Sequence, residues 1–239
     1  MATREEILGK IRGALANDAV QVPLPEPPQV WPVQGKSADE LLDEFEKNLT
    51  AVAGEVRRCA DRADAAEKIA ETLRSVQLNA GVKGEEKNFR LGFRPGELTD
   101  ALLDSALPRL DGIPIVVERA PGDAAAAKPD ELESISASLI PAELLLADTG
   151  SAVVRSASAF DRLMNYLSPV CLIAAKKSQL REHLPHAWPE LSARIAGDGE
   201  RTGEFLLMTG PSRTADIEKI LILGVHGPKK VVVYIVENE

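Results

Sequence analysis

The sequence predicts an α/β protein with a mixed, largely parallel sheet flanked by helices, and an N-terminal helical appendage. Short apolar runs of strand length recur from about residue 113 to the C-terminus. Stretches with helical spacing alternate with them. Such alternation needs crossover connections, which favour parallel strands covered by helices.

Along the chain, Ile7, Leu8, Ile11, Ala14 and Leu15 recur at helical spacing, with Thr3 as the expected N-cap. VPLPEPPQVWP, residues 22–32, holds five prolines and is expected to be an extended arm. Helical spacing resumes at Leu41, Leu42, Phe45, Leu49 and Val52, capped by Ser37, and a third helix is expected near 63–75. We therefore divide the chain into an arm, residues 1–35, and an α/β domain, residues 36–239. IPIVVE (113–118) has the length and β-branching of a buried strand, and DAAAAKPDE (123–131) reads as a surface loop. SISASLI, ELLLAD, SAVVRS and VCLIAA are further strands, followed by a helical KKSQLREHL. HLPH places His183 and His186 on the surface near a helix end. EFLLMTG is a strand, PSRTADIEKI opens a helix, and KKVVVYIVEN is the last strand.

Composition narrows the function. The chain has 239 residues and needs no disulfide or metal to bury a core. A net charge of −9 is repelled by nucleic-acid phosphates and anionic lipid, so neither is an expected partner. No apolar run approaches the length of a membrane span, and the N-terminus has no signal-peptide core. The expected location is the cytoplasm, with Cys59 and Cys171 as free thiols. Two separated cysteines cannot hold an iron–sulfur cluster, and no metal site is expected. GxGxxG and P-loop motifs are absent.

Three motifs carry candidate chemistry. ADTGSAVV (147–154) has the Asp-Thr-Gly of aspartic proteases, but those enzymes pair two aspartates in an almost wholly β fold. The plainer reading is a strand–glycine–strand junction with the Thr149 and Ser151 hydroxyls beside Gly150. In TGPSRTADIE (209–218), Gly210 leads through Ser212, Arg213 and Thr214 into a helix start, a place suited either to an anion or to simple capping. In GVHGP (224–228), Gly224 and Gly227 bracket His226, which reaches the same pocket if the last strand pairs near 204–209.

ADTG, TGPSRTADIE, GVHGP and the terminal VVVYIVEN, in that order, resemble the LUD domain family, of the lactate-utilization protein C (YkgG) type, over about residues 110–239. Where family members carry a short proline-marked segment, this chain reads FDRLMNYLSPVCLIAA, and no binding role is carried onto it. The resemblance implies a fold similar to the NagB/RpiA/CoA-transferase class. It also implies a role in L-lactate utilization by oxidation to pyruvate, beside two iron–sulfur partner subunits. The chain would be the cysteine-poor, non-redox component, with no cofactor of its own.

The candidate site for a small carboxylate or phosphate joins Thr149, Gly150, Ser151, Gly210, Ser212, Arg213, Thr214 and Gly227, with His226 as the candidate catalytic residue. The alternative is a stand-alone CoA-transferase-like or sugar-phosphate-isomerase-like enzyme using the same pocket.

Overall fold

The structure, a computed structural model, describes residues 3–17, 31–80, 89–119, 134–197, 203–215 and 221–239. It forms two compact units, Met1–Pro32 and Val33–Glu239. The first carries α1 (Arg4–Asn17). There the Thr3 hydroxyl accepts from the Glu6 N–H at 3.3 Å, and the Glu6 carboxylate accepts from the Thr3 N–H at 2.9 Å. Apart from Trp31 and Pro32, the arm expected over 22–32 lies outside the described residues, as does the 123–131 loop.

The second unit begins with α2 (Ala38–Ala51), started by a reciprocal Ser37–Glu40 cap. Then come β1 (Glu55–Cys59), α3 (Arg62–Ala80), β2 (Phe89–Phe93), α4 (Glu97–Ala106) and β3 (Ile115–Arg119). The middle holds β4 (Ala137–Pro141), β5 (Leu144–Leu146), β6 (Ser151–Ser156), α5 (Ala159–Leu167) and β7 (Val170–Lys176). The last third holds β8 (Leu180–Arg181), α6 (Leu184–Gly197), β9 (Glu204–Met208), β10 (Arg213–Ala215), β11 (Leu221–Leu223) and β12 (Lys230–Val236).

A six-stranded sheet in the order β1-β12-β7-β4-β2-β3 is parallel throughout. On one face Leu91, Phe93, Leu139, Leu172 and Tyr234 pack with Ile69 and Leu73 of α3 and Leu102 and Leu103 of α4. On the other, Ile140, Ile173, Val231, Val233 and Ile235 meet Leu42, Phe45 and Leu49 of α2. The same cluster takes in Leu145, Ala152, Val154 and Met208 from a second, mixed sheet ordered β8-β5-β6-β9. β12 is apolar along nearly its whole length because both its faces are buried.

The structure corrects the sequence reading at several points. Residues 213–215 form a strand, not a helix start. Arg213, Thr214 and Ala215 pair antiparallel with Leu223, Ile222 and Leu221, and this pairing with an apolar strand centred on β-branched Ile222 outweighs the helix-start signal. KKSQLREHL is not an α-helix but a single 3-10 turn, Lys177–Gln179, followed by β8. Gln179 accepts from the Lys176 N–H at 2.6 Å and donates to the carbonyls of Ala142 and Glu143 at 2.8 and 3.0 Å, which ties the segment into the second sheet. The helix begins later, at Leu184, where the His186 N–H donates to His183 Nδ1. His183 is therefore buried, and only His186 is exposed. β12 does not pair with 204–209. It lies between β1 and β7, while β9 pairs with β6. The sequence reading also missed β1 and β2. In β1 the apolar pattern is hidden by Glu55, Arg57 and Arg58, tolerated because this is an edge strand.

Glu182 holds the start of this unit in place. Its buried carboxylate accepts from the N–H groups of Gln34 (2.6 Å), Gly35 (2.7 Å) and Lys36 (3.1 Å). Burial alone would raise this carboxyl, but the three donors outweigh it and hold it below its usual range. Such a group stabilises the fold fully above its unfolded pKa, about 4.3, and the contribution is lost as pH falls through the depressed folded value. Glu182→Gln should cost about 1–3 kcal/mol at pH 7. Thermal melts should show the gap to wild type closing below about pH 4; a gap of equal size at pH 3 and pH 7 would contradict this assignment.

Candidate functional site

The ADTG segment is the connection between antiparallel β5 and β6. The Ala147 and Asp148 N–H groups donate to the carbonyls of Arg181 and Glu182 at 2.9 and 3.1 Å. From the other side, the Asn48 side-chain amide donates to the Ala147 and Asp148 carbonyls at 2.8 and 2.9 Å. Gly150 is buried at φ +64° against the last turn of α2. A Cβ there would land on the Leu49 nitrogen and lie 2.8 Å from the Asn48 carbonyl carbon, so backbone meets backbone. Asp148 is exposed on this turn in a helix-rich α/β fold, which removes the protease-like reading.

A string of hydroxyls continues from the turn. Buried Ser151 Oγ donates to Thr149 Oγ1 at 2.8 Å and lies 2.6 Å from Thr209 Oγ1. With its one proton directed to Thr149, Ser151 accepts from Thr209. Thr209 leads into Gly210, at φ +94°, where a Cβ would sit 3.1 Å from the Val52 carbonyl oxygen. The chain then reaches Ser212, whose N–H donates to the Pro228 carbonyl at 2.8 Å and whose carbonyl accepts from the Gly224 N–H at 2.9 Å. Gly227 lies against the Ser212 side chain. The Lys229 and Lys230 N–H groups both donate to the Pro169 carbonyl, at 2.9 and 3.1 Å, anchoring this loop to the start of β7.

The structure thus brings the predicted residues into two contact groups linked by 209–212. One is Thr149, Gly150 and Ser151, and the other is Ser212, Gly224, Gly227 and Pro228. Arg213 and His226 are exposed, and Thr214 is half-buried on β10. Among the described residues Arg213 forms no ion pair. The whole arrangement lies at the amino-terminal ends of β1, β7 and β12, opposite the end where α/β sheets usually hold ligands.

Chemically it offers hydroxyls and one exposed guanidinium. Ser151 is bonded to hydroxyls and not to an imidazole or carboxylate, so nothing there activates it as a nucleophile. The arrangement suits contact with polar or anionic groups.

The sequence profile of the LUD domain matches residues 42–236. The chain belongs to the LUD domain family. It is 24% identical to the lactate utilization protein C of Bacillus pumilus (strain SAFR-032), over 99% of this chain and 97% of that protein. It is 33% identical to the uncharacterized protein YkgG of Escherichia coli (strain K12), over 45% of this chain and 47% of that one. A DUF162 family protein from Deinococcus radiodurans has the same fold, with a TM-score of 0.54 and 16% identity over 84% of this chain and 99% of that one.

Two residues of this LUD domain's candidate site escaped the sequence reading. Asn48 looks like one more polar helix position, and only the fold brings it to the ADTG turn. Thr209 was legible only as the residue before Gly210. A cavity of about 340 Å³ lies elsewhere, between α3 and the starts of β7 and β12, and includes none of the predicted site residues. Its cations are engaged: Lys68 pairs with Asp64 at 2.8 Å, while Arg57 and Lys230 share Glu55.

Gly150→Ala should destabilise the LUD domain by about 2–4 kcal/mol, combining left-handed strain with overpacking against α2. Asn48→Ala should cost about 1–3 kcal/mol, because two carbonyls lose their donor. Denaturant titration measures both. A Gly150→Ala variant as stable as wild type would disprove the close approach.

Proposed function

We propose that this LUD protein is a non-redox component of an L-lactate utilization system, in which lactate is oxidised to pyruvate with iron–sulfur partner subunits. The observation that carries this reading is the match to lactate utilization protein C along nearly the whole of both chains.

The cysteines support the non-redox part. Cys59 and Cys171 are buried in the clusters on opposite faces of the six-stranded sheet. Burial pushes both thiols up to about 11, far from the thiolate a metal centre requires. In this reading the amino-end arrangement is the protein's polar contact surface. Thr149, Ser212 and Thr214 supply hydroxyls, buried Ser151 holds Thr149 and Thr209 in place, and Gly150, Gly210 and Gly227 give close backbone approach. Arg213 and His226 stand outermost and take the carboxylate or phosphate group.

The purified chain should carry no stoichiometric iron, acid-labile sulfide or flavin, and should not reduce a dye with lactate. Lactate-dependent dye reduction should require the iron–sulfur subunits. Deleting the gene should abolish growth on L-lactate, and Arg213→Ala should fail to restore it while melting within a few degrees of wild type. Lactate oxidation by the chain alone, or normal growth of the deletion strain, would overturn the reading.

A further inference from the structure

β2 and β4 are neighbours in the six-stranded sheet, yet their connections leave in opposite directions. β2 leads through α4 to β3 at one edge, and β4 leads through β5, β6 and α5 to β7 on the other side. The carboxyl ends of β2 and β4 therefore flank the topological switch point, where open α/β sheets form a ligand crevice. Arg94 is the first residue after β2, and its N–H donates to the Leu139 carbonyl of β4 at 3.0 Å.

Arg94 is only 8% exposed, and its Nη1 is enclosed without a hydrogen-bond partner. A buried, unpaired guanidinium nitrogen is costly and rare in a structural core. Its surroundings are polar. Gly92, two residues earlier on the same face of β2, lies beneath α5, since a Cβ there would be 2.8 Å from Met164 Sδ. Asp161 and Asn165 lie one turn apart on this helix, either side of that contact. Asp161, Glu143 and Arg155 are the charged groups acting on Arg94.

Both acids act on Arg94 through space while bonded elsewhere. The Asp161 carboxylate accepts from the Ala157 and Ser158 N–H groups at 3.0 and 3.1 Å, and Glu143 pairs with Arg194. Asn165 is fully buried, and its Nδ2 donates to Ser156 Oγ at 2.9 Å. Its Oδ1 has no partner. Two buried side chains thus each keep an orphaned atom, a cationic donor on Arg94 at the end of β2 and a neutral acceptor on Asn165 of α5.

We propose that this is a binding site for a small 2-hydroxy carboxylate, with Arg94 Nη1 donating to the carboxylate and Asn165 Oδ1 accepting from the hydroxyl. A carboxylate satisfies the guanidinium, and only a molecule that also carries a donor satisfies Asn165. The site rests on the two orphaned atoms; the choice of L-lactate as probe rests on the proposed function.

The test is calorimetric titration of the full chain with L-lactate and with propionate, which lacks only the hydroxyl. Lactate should bind at least about tenfold more tightly than propionate. Arg94→Met should weaken lactate binding by more than about tenfold while the protein stays folded, since an apolar side chain of similar volume removes a buried orphan charge. Asn165→Ala should bring the two acids to within about threefold of each other.

The proposal is wrong if the wild-type chain binds neither acid, binds both equally, or keeps its lactate affinity in Arg94→Met. Should Arg94→Met not fold, the lactate-to-propionate ratio in wild type and Asn165→Ala decides. Growth of the deletion strain on lactate separates the two ideas. No binding with growth still lost ends the site but not the proposed function, and binding with growth intact does the reverse.

Discussion

The last turn of α2 touches the backbone of the ADTG turn, and much of this molecule depends on that contact. The two sheets share the α2-filled core of Leu42, Phe45, Leu49, Val154 and Val233. Apolar packing of this kind is non-directional and would tolerate sliding. Two directional features prevent it. Gly150 leaves no room for a side chain against Asn48 and Leu49, and the Asn48 amide accounts for two carbonyls of the turn. Glu182 adds a third tie nearby, since its carboxylate holds residues 34–36 while its carbonyl receives the Asp148 N–H. The start of α2 and the ADTG turn are thereby fixed from the same residue.

That contact also explains why the sequence motifs gather as they do. β1 begins just after α2, so the turn docked on α2 lies at the amino end of the parallel sheet. The hydroxyl string carries the arrangement on to Thr209, and Gly210 closes against Val52 between α2 and β1. Ser212 then receives the loop that opens β12. The glycines in these motifs serve close backbone approach at a junction of elements. The same residues can mark a family through packing alone, so motif recurrence does not by itself locate chemistry.

The parts of the fold legible in sequence were those with a strong local signal. Ser37 before the apolar spacing of α2, and the continuous apolar run of β12, admit few other readings. The parts that were not legible depend on distant partners. Thr214 followed by Asp216 and Glu218 has the composition of a helix start, and only the pairing of Thr214 with Ile222 makes it a strand. Gln179 looks like a helical residue until its amide is seen spanning the carbonyls of Ala142 and Glu143. The ADTG, SRT and GVHGP segments could be picked out as candidates. Their position at the amino end of the sheet could not, because strand order is set by long-range pairing.

Arg94 shows the same limit from the other side. In sequence it is one more arginine before Pro95-Gly96, in a stretch carrying Glu97 and Asp100, where an exposed ion pair is the natural expectation. Its burial depends on which strands flank β2, and the Asp161 carboxylate of α5 bonds to the backbone of its own helix start and not to Nη1. Asp161 keeps its charge in this cap and acts on Arg94 through space, but no hydrogen bond reaches Nη1. Had Asp161 been free, Arg94 would read as half of a buried ion pair with a purely structural role. The capping geometry of a nine-residue helix, a local stability device, ties Asp161 Oδ2 to backbone, and Arg94 Nη1 keeps no hydrogen-bond partner at the end of β2.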